Sequence, residues 1–156
     1  MATISAADVA KLRRVTLAGM MDCKKALEES NGDFDKAIEI IRKKGQAVAS
    51  KRADREATEG VVLAKTSADS KFGAMIVLNS ETDFVAKNAE FISLAEKIID
   101  TALTNKPEDL EALKAAKMDN STVAQKVVEF LGIIGEKLEL SYYSKIEAPQ
   151  VQSYIH

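Results

Sequence analysis

Cysteine and histidine, the pair that most readily acts as nucleophile and base, each occur once, as Cys23 and His156. A thiolate and an imidazole do acyl-transfer chemistry only when the fold brings them together. His156 is the last residue of the sequence, and Cys23 has no histidine near it. Cys23 therefore reads first as ordinary packing. One cysteine and one histidine cannot build a zinc site. Neither a Gly-x-x-x-x-Gly-Lys phosphate loop nor a Gly-rich dinucleotide fingerprint occurs. The 24 Asp and Glu residues mostly belong to charged helix faces, where solvation is the ordinary role. No catalytic residue, metal or cofactor is expected. The chain should act by binding.

One corner stands out as a binding feature. Residues 79–91, "NSETDFVAKNAEF", follow the apolar run Phe72 to Leu78 and precede a helical pattern. Phe84 sits there beside Glu81, Thr82 and Asp83, where a strand-to-helix loop would normally face water. The ring either staples the entry of the following helix, which starts near Asn88, or is held out for a partner.

The elements that position these residues follow from periodicity. Residues 5–45 read as three short helices. The first carries Val9, Leu12 and Val15 with Ser5 as cap. The second starts near Asp22 and stops at Asn31-Gly32. The third is capped by Asp33, carries Phe34, Ala37, Ile38 and Ile41, and ends at Lys43-Lys44-Gly45. Residues 46–58 lack an apolar stripe and read as a solvated helical linker. From Glu59 the period changes to that of strands. Val61 to Thr66 and Phe72 to Asn79 predict an antiparallel hairpin.

Three helical segments follow: one with Phe91, Leu94, Ala95, Ile98 and Ala102, a short one following Pro107, which suits its first turn, and one with Val123, Val127, Phe130 and Ile134. A last strand alternates Leu138, Leu140, Tyr142 and Ile146 inward with Glu139, Ser141, Tyr143 and Lys145 outward. After Pro149, "VQSYIH" reads as the start of a further strand that either belongs to something longer or is completed by another chain in a homodimer. The fold class is α+β: a three-helix module over 1–45, a linker over 46–58, and a small antiparallel sheet packed with helices over 59–156.

Composition narrows the partner. Hydrophobic residues make up 46% and charged residues 29%, which excludes a disordered chain. A net charge of −2 gives no reason to expect nucleic acid. No apolar run approaches the roughly 18 residues of a membrane span, and the N-terminus has no signal-peptide pattern. With a single cysteine, the chain is expected in the cytoplasm.

Two stretches carry more than composition: "LRRVTLAGMMDCKKAL" at residues 12–27, and "NSETDFVAKNAEF". In this order, with "GEKLELSYY" and the terminal "SYIH", they closely resemble the bacterial elongation factor Ts family. The resemblance implies a guanine-nucleotide exchange factor of translation elongation, binding elongation factor Tu in its GDP-bound or nucleotide-free form. It implies that residues 1–45 fold like a ubiquitin-associated domain and dock on the partner's GTP-binding domain through Arg13, Met20 and Met21.

It also implies that the motif Thr82, Asp83, Phe84 and Val85 inserts Phe84 beside the partner's magnesium site, with Asp83 touching the same region. Ile134 and Gly135 match further contacts, and His156 matches the histidine of a Tyr-x-His segment. Leu17 departs from the family, which usually has Gly there, and Ser80 stands where Cys is common. Most members continue into a second core subdomain, so this chain should hold the N-terminal module and the first half of the family core. The competing expectation is a ubiquitin-associated-like adaptor without exchange activity.

Overall fold

The computed structural model describes residues 3–156. The described residues fall into two compact units: residues 3–54 with 128–136, and residues 55–127 with 137–156.

The first unit is built on three helices, α1 (Ala6–Thr16), α2 (Met20–Glu29) and α3 (Phe34–Lys51). Ser5 opens α1 with a capping box. Its side chain accepts from the Asp8 amide while the Asp8 carboxylate accepts from the Ser5 amide at 3.1 Å. The Ser5 hydroxyl also donates to the Asp8 carboxylate at 2.6 Å, and that bond, with the one from the Ser5 amide, holds the Asp8 carboxyl below its usual pKa. Asp33 caps α3 by accepting from the Lys36 amide at 3.1 Å. The core is Val9, Leu12, Ala18, Cys23, Ala26, Leu27, Ala37 and Ile41, with Ile133 packed against it.

Two helix boundaries differ from the sequence reading. α2 begins at Met20, with Gly19 at its cap and no side-chain bond there. Asp22 lies inside the first turn instead and pairs with Lys44. α3 does not stop at Gly45 but runs on to Lys51. Gly45 is buried, and a Cβ on Gly132 would come within 2.4 Å of the Gly45 Cα. This glycine permits close backbone approach in mid-helix, a use that a basic-then-glycine ending does not reveal. The Arg42 guanidinium donates to Glu129 at 2.6 Å beside it.

The second unit is a three-stranded antiparallel sheet, β1 (Glu59–Thr66), β2 (Phe72–Ser80) and β5 (Leu138–Glu147), in the order β1-β2-β5. Its helices are α4 (Asp83–Ala86), α5 (Ala89–Asn105) and α6 (Leu110–Ala115), followed by the opening residues of α7 (Val123–Ile134), which the unit boundary crosses. A small ladder of β3 (Lys117–Met118) with β4 (Ser121–Thr122) completes it. α5 buries Phe91, Leu94, Ala95, Ile98, Ile99 and Ala102, and packs on β1 and β2. Ala74, Ile76 and Leu78 of β2 are buried as well.

The expected alternation of β5 holds only for its first half. Leu138 and Leu140 are buried, but Tyr142 and Ile146 are exposed. The pairing passes from Leu78↔Leu140 to Val77↔Tyr142, leaving Ser141 as an extra residue. Such a bulge exchanges the two faces of a strand. Tyr143 then turns toward the helices and donates to the Pro107 carbonyl at 2.8 Å, and burial pushes its phenol pKa up. The short helix α6 follows Pro107, as expected, and is capped by Asp109.

Residues 149–156 form no strand. The segment is tied down by the Val151 amide, which donates to the Ser70 carbonyl at 2.6 Å, while the Val151 side chain packs over Gly73.

Candidate partner-binding site

Two places hold apolar side chains out to water next to residues singled out by sequence. The first is the α1–α2 corner. α1 ends at Leu17, which sits at φ 60° and donates its amide to the Arg13 carbonyl at 2.7 Å. A left-handed residue reverses the chain after one helix, and glycine does this without a Cβ penalty. With Leu in that role, its side chain is left 46% exposed. Val15, Met20 and Met21 are exposed around the same corner, and so is Arg13. Both methionines are open to water. Below them Cys23 is fully buried, its thiol set against the Ala18 carbonyl and the Thr16 hydroxyl. It packs, as its surroundings in the sequence suggested.

The second place is the β2–α5 corner, where the chain makes an unexpected single turn of helix, α4. Thr82 caps it, its hydroxyl accepting from the Val85 amide at 3.4 Å. Val85 is buried and pins the turn from below. The Ser80 hydroxyl, fully buried, donates to the Thr82 carbonyl at 2.9 Å. Asn88 then caps α5, accepting from the Glu90 and Phe91 amides. Between those two caps the Phe84 ring is 82% exposed. A ring so exposed cannot act as a staple, which requires it to pack against the helix it fixes.

Asp83, beside Phe84, takes a hydrogen bond from Lys87 at 2.7 Å. That bond and the Lys87 charge lower the Asp83 pKa, and the same contact raises that of Lys87. One more contact holds this corner and was invisible in the sequence. The Glu81 carboxylate accepts from the Lys137 amide at 2.6 Å, across 56 positions of sequence.

A family model described as Elongation factor TS matches residues 81–156, beginning at this corner. Over 153 residues the chain is 54% identical to the elongation factor Ts of Phocaeicola vulgatus, a match covering 98% of this chain and 46% of that protein. With the elongation factor Ts of Porphyromonas gingivalis it shares 56% identity over 151 residues, covering 96% of this chain and 54% of the relative. The counterpart from Flavobacterium psychrophilum is 54% identical over 158 residues, covering all of this chain and 56% of the relative.

The chain belongs to the elongation factor Ts family. It spans about half the length of the curated relatives it matches.

Within this family member, the residues singled out by resemblance fall in different settings. Arg13, Met20 and Met21 are exposed in the first unit. Gly135 and Ile134 are half-buried, and Gly135 adopts φ +76° with open space where a Cβ would be. In the second unit Phe84 is exposed, Thr82 and Asp83 are half-buried, and Val85 is buried. His156 is exposed and lies against Tyr154, its Nδ1 3.2 Å from the tyrosine hydroxyl. Among the described residues no cluster of His, Cys, Asp or Glu is arranged to hold a metal ion. No described helix is long and apolar enough to cross a membrane.

Proposed function

We propose that this chain binds elongation factor Tu and promotes GDP release by inserting Phe84 near its magnesium and nucleotide site. The observation that carries the reading is the 82% exposure of Phe84 on a turn fixed by buried and capped neighbours. Exposing a phenylalanine ring forgoes roughly 1.5–3 kcal/mol of burial, a cost that is recovered when a partner supplies the pocket. Thr82 and Val85 set the turn, Asp83 stands beside the ring, and Arg13, Met20 and Met21 hold the GTP-binding domain. Ile134, Gly135 and His156 add secondary contacts. The chain acts without a catalytic group or cofactor of its own.

Linkage sets what the contacts must do. A factor that weakens GDP binding by some ratio is itself bound more weakly by the same ratio when GDP is present. A ratio of 10³ needs about 4 kcal/mol of coupling, more than one ring supplies. Contacts that grip both forms of the partner equally give affinity and no exchange. The test is stopped-flow release of a fluorescent GDP from elongation factor Tu. The intact chain should accelerate release, saturating with its concentration. Binding without any acceleration would replace this reading with that of an adaptor.

A further inference from the structure

We infer that Glu81 is a positioning residue for the Phe84 turn, acting through its clasp on the Lys137 amide; this rests on the exchange reading above. The Phe84 side chain is 82% exposed, so packing does little to aim it. Its direction is therefore set by the frame of α4, a helix of a single turn. One turn of helix has no independent stability, so the frame depends on the residues on either side. On the C-terminal side, α5 begins at Asn88 with its own cap. On the N-terminal side, Ser80 is the last residue of β2 and is paired with Leu138 of β5. The chain then leaves the sheet, and Glu81 and Thr82 are the only residues between the ladder and α4.

Glu81 resists fraying at that exit. Its carboxylate accepts the Lys137 N–H at 2.6 Å, one residue ahead of the start of β5. This bond extends the β2–β5 pairing by one side-chain-mediated rung past Ser80↔Leu138. A charge-assisted bond to a backbone donor is stronger than a neutral one, and this one holds the donor just ahead of β5. The Ser80 hydroxyl on the Thr82 carbonyl fixes the same exit from within the chain. Glu81 fixes it from the neighbouring strand. The two together leave α4 one orientation, and Phe84 inherits it.

The experiment uses the full chain with Glu81→Ala and Glu81→Gln, because a glutamine carbonyl accepts the same N–H. The sequence contains no tryptophan, so Phe84→Trp introduces a single reporter at the turn. Time-resolved anisotropy of that indole should show wider and faster local motion in the Glu81→Ala background, and motion restored to the parent level with Glu81→Gln. Amide hydrogen exchange at Lys137 should speed up with Ala and not with Gln. In the GDP-release assay Glu81→Ala should lower the saturating acceleration about tenfold, the loss expected for one charge-assisted bond, with Gln close to the parent.

Unchanged anisotropy and Lys137 protection in Glu81→Ala would overturn the assignment, as would Gln behaving like Ala. If the parent chain accelerates nothing, the exchange reading fails. The anisotropy and hydrogen-exchange results then still decide whether Glu81 aims the turn.

Discussion

The α1–α2 corner and the α4 turn both present apolar surface to water, and they are built on opposite plans. At the first, exposed Val15, Leu17, Met20 and Met21 surround one reversal of the chain. Methionine is unbranched and adaptable, so this surface can follow a partner whose shape changes. At the second, a single stiff ring stands on a turn held by Thr82, Ser80, Glu81 and the buried Val85. The difference matches two tasks. An adaptable surface keeps its grip on more than one conformation and so supplies affinity. A rigid wedge fits one conformation better than another, and only such a difference shifts an equilibrium.

Mutations that separate affinity from rate will break or sharpen this division. Phe84→Ala should have the largest effect, lowering the saturating rate of GDP release at least about tenfold. Because the ring is so exposed, thermal unfolding should not change. Met20→Ala with Met21→Ala should act on the other quantity. The concentration of chain needed for half-maximal release should rise about tenfold, while the saturating rate stays near the parent value. A double variant that lowered the saturating rate instead would erase the distinction.

Leu17→Gly should have a smaller effect, and in the stabilising direction. A left-handed non-glycine residue is strained by about 1–2 kcal/mol, and glycine's extra chain entropy offsets up to about 1 of that. Urea unfolding should therefore show a gain of about 0.5 kcal/mol, and partner affinity should fall slightly with the loss of an exposed Leu. Loss of affinity without any gain in stability would show that the corner is relaxed.

The smallest effect concerns pH. Asp8, Asp33 and Asp83 all have folded pKa values below the usual one, through bonds to Ser5, Lys36 and Lys87 respectively. Their stabilisation is present above the unfolded carboxylate value and is lost as pH falls through the folded values. Acid titration of Asp83→Asn should show slightly less loss of stability below pH about 4 than the parent chain.

How much of this was legible in the sequence depends on distance along the chain. Local signals read well: Ser5 and Asp33 as caps, the hairpin from its two apolar runs, the buried stripe of α5. The corner at Phe84 was visible because a large ring among Glu81, Thr82 and Asp83 breaks the ordinary rule for loops. Failures came where a distant partner overrides a local pattern. Gly45 looks like a helix stop until the backbone at Gly132 gives it another reason to be glycine. The bulge at Ser141 turns the faces of β5 over, and nothing in an alternating run of Leu and Tyr announces an extra residue. Residues 151–155 have a strand's composition, yet Val151 packs on the hairpin instead of joining the sheet. The Glu81 clasp spans 56 positions, so no periodicity could report it.

The central claim is that the ring of Phe84 sets the rate of GDP release and the methionine corner sets the affinity. Titrating elongation factor Tu bearing fluorescent GDP with the parent chain and with Phe84→Ala, at rising concentration, tests it most directly. The account predicts two curves with similar midpoints and plateaus at least about tenfold apart. Equal plateaus reached at different midpoints would contradict it, and would make Phe84 one more binding contact.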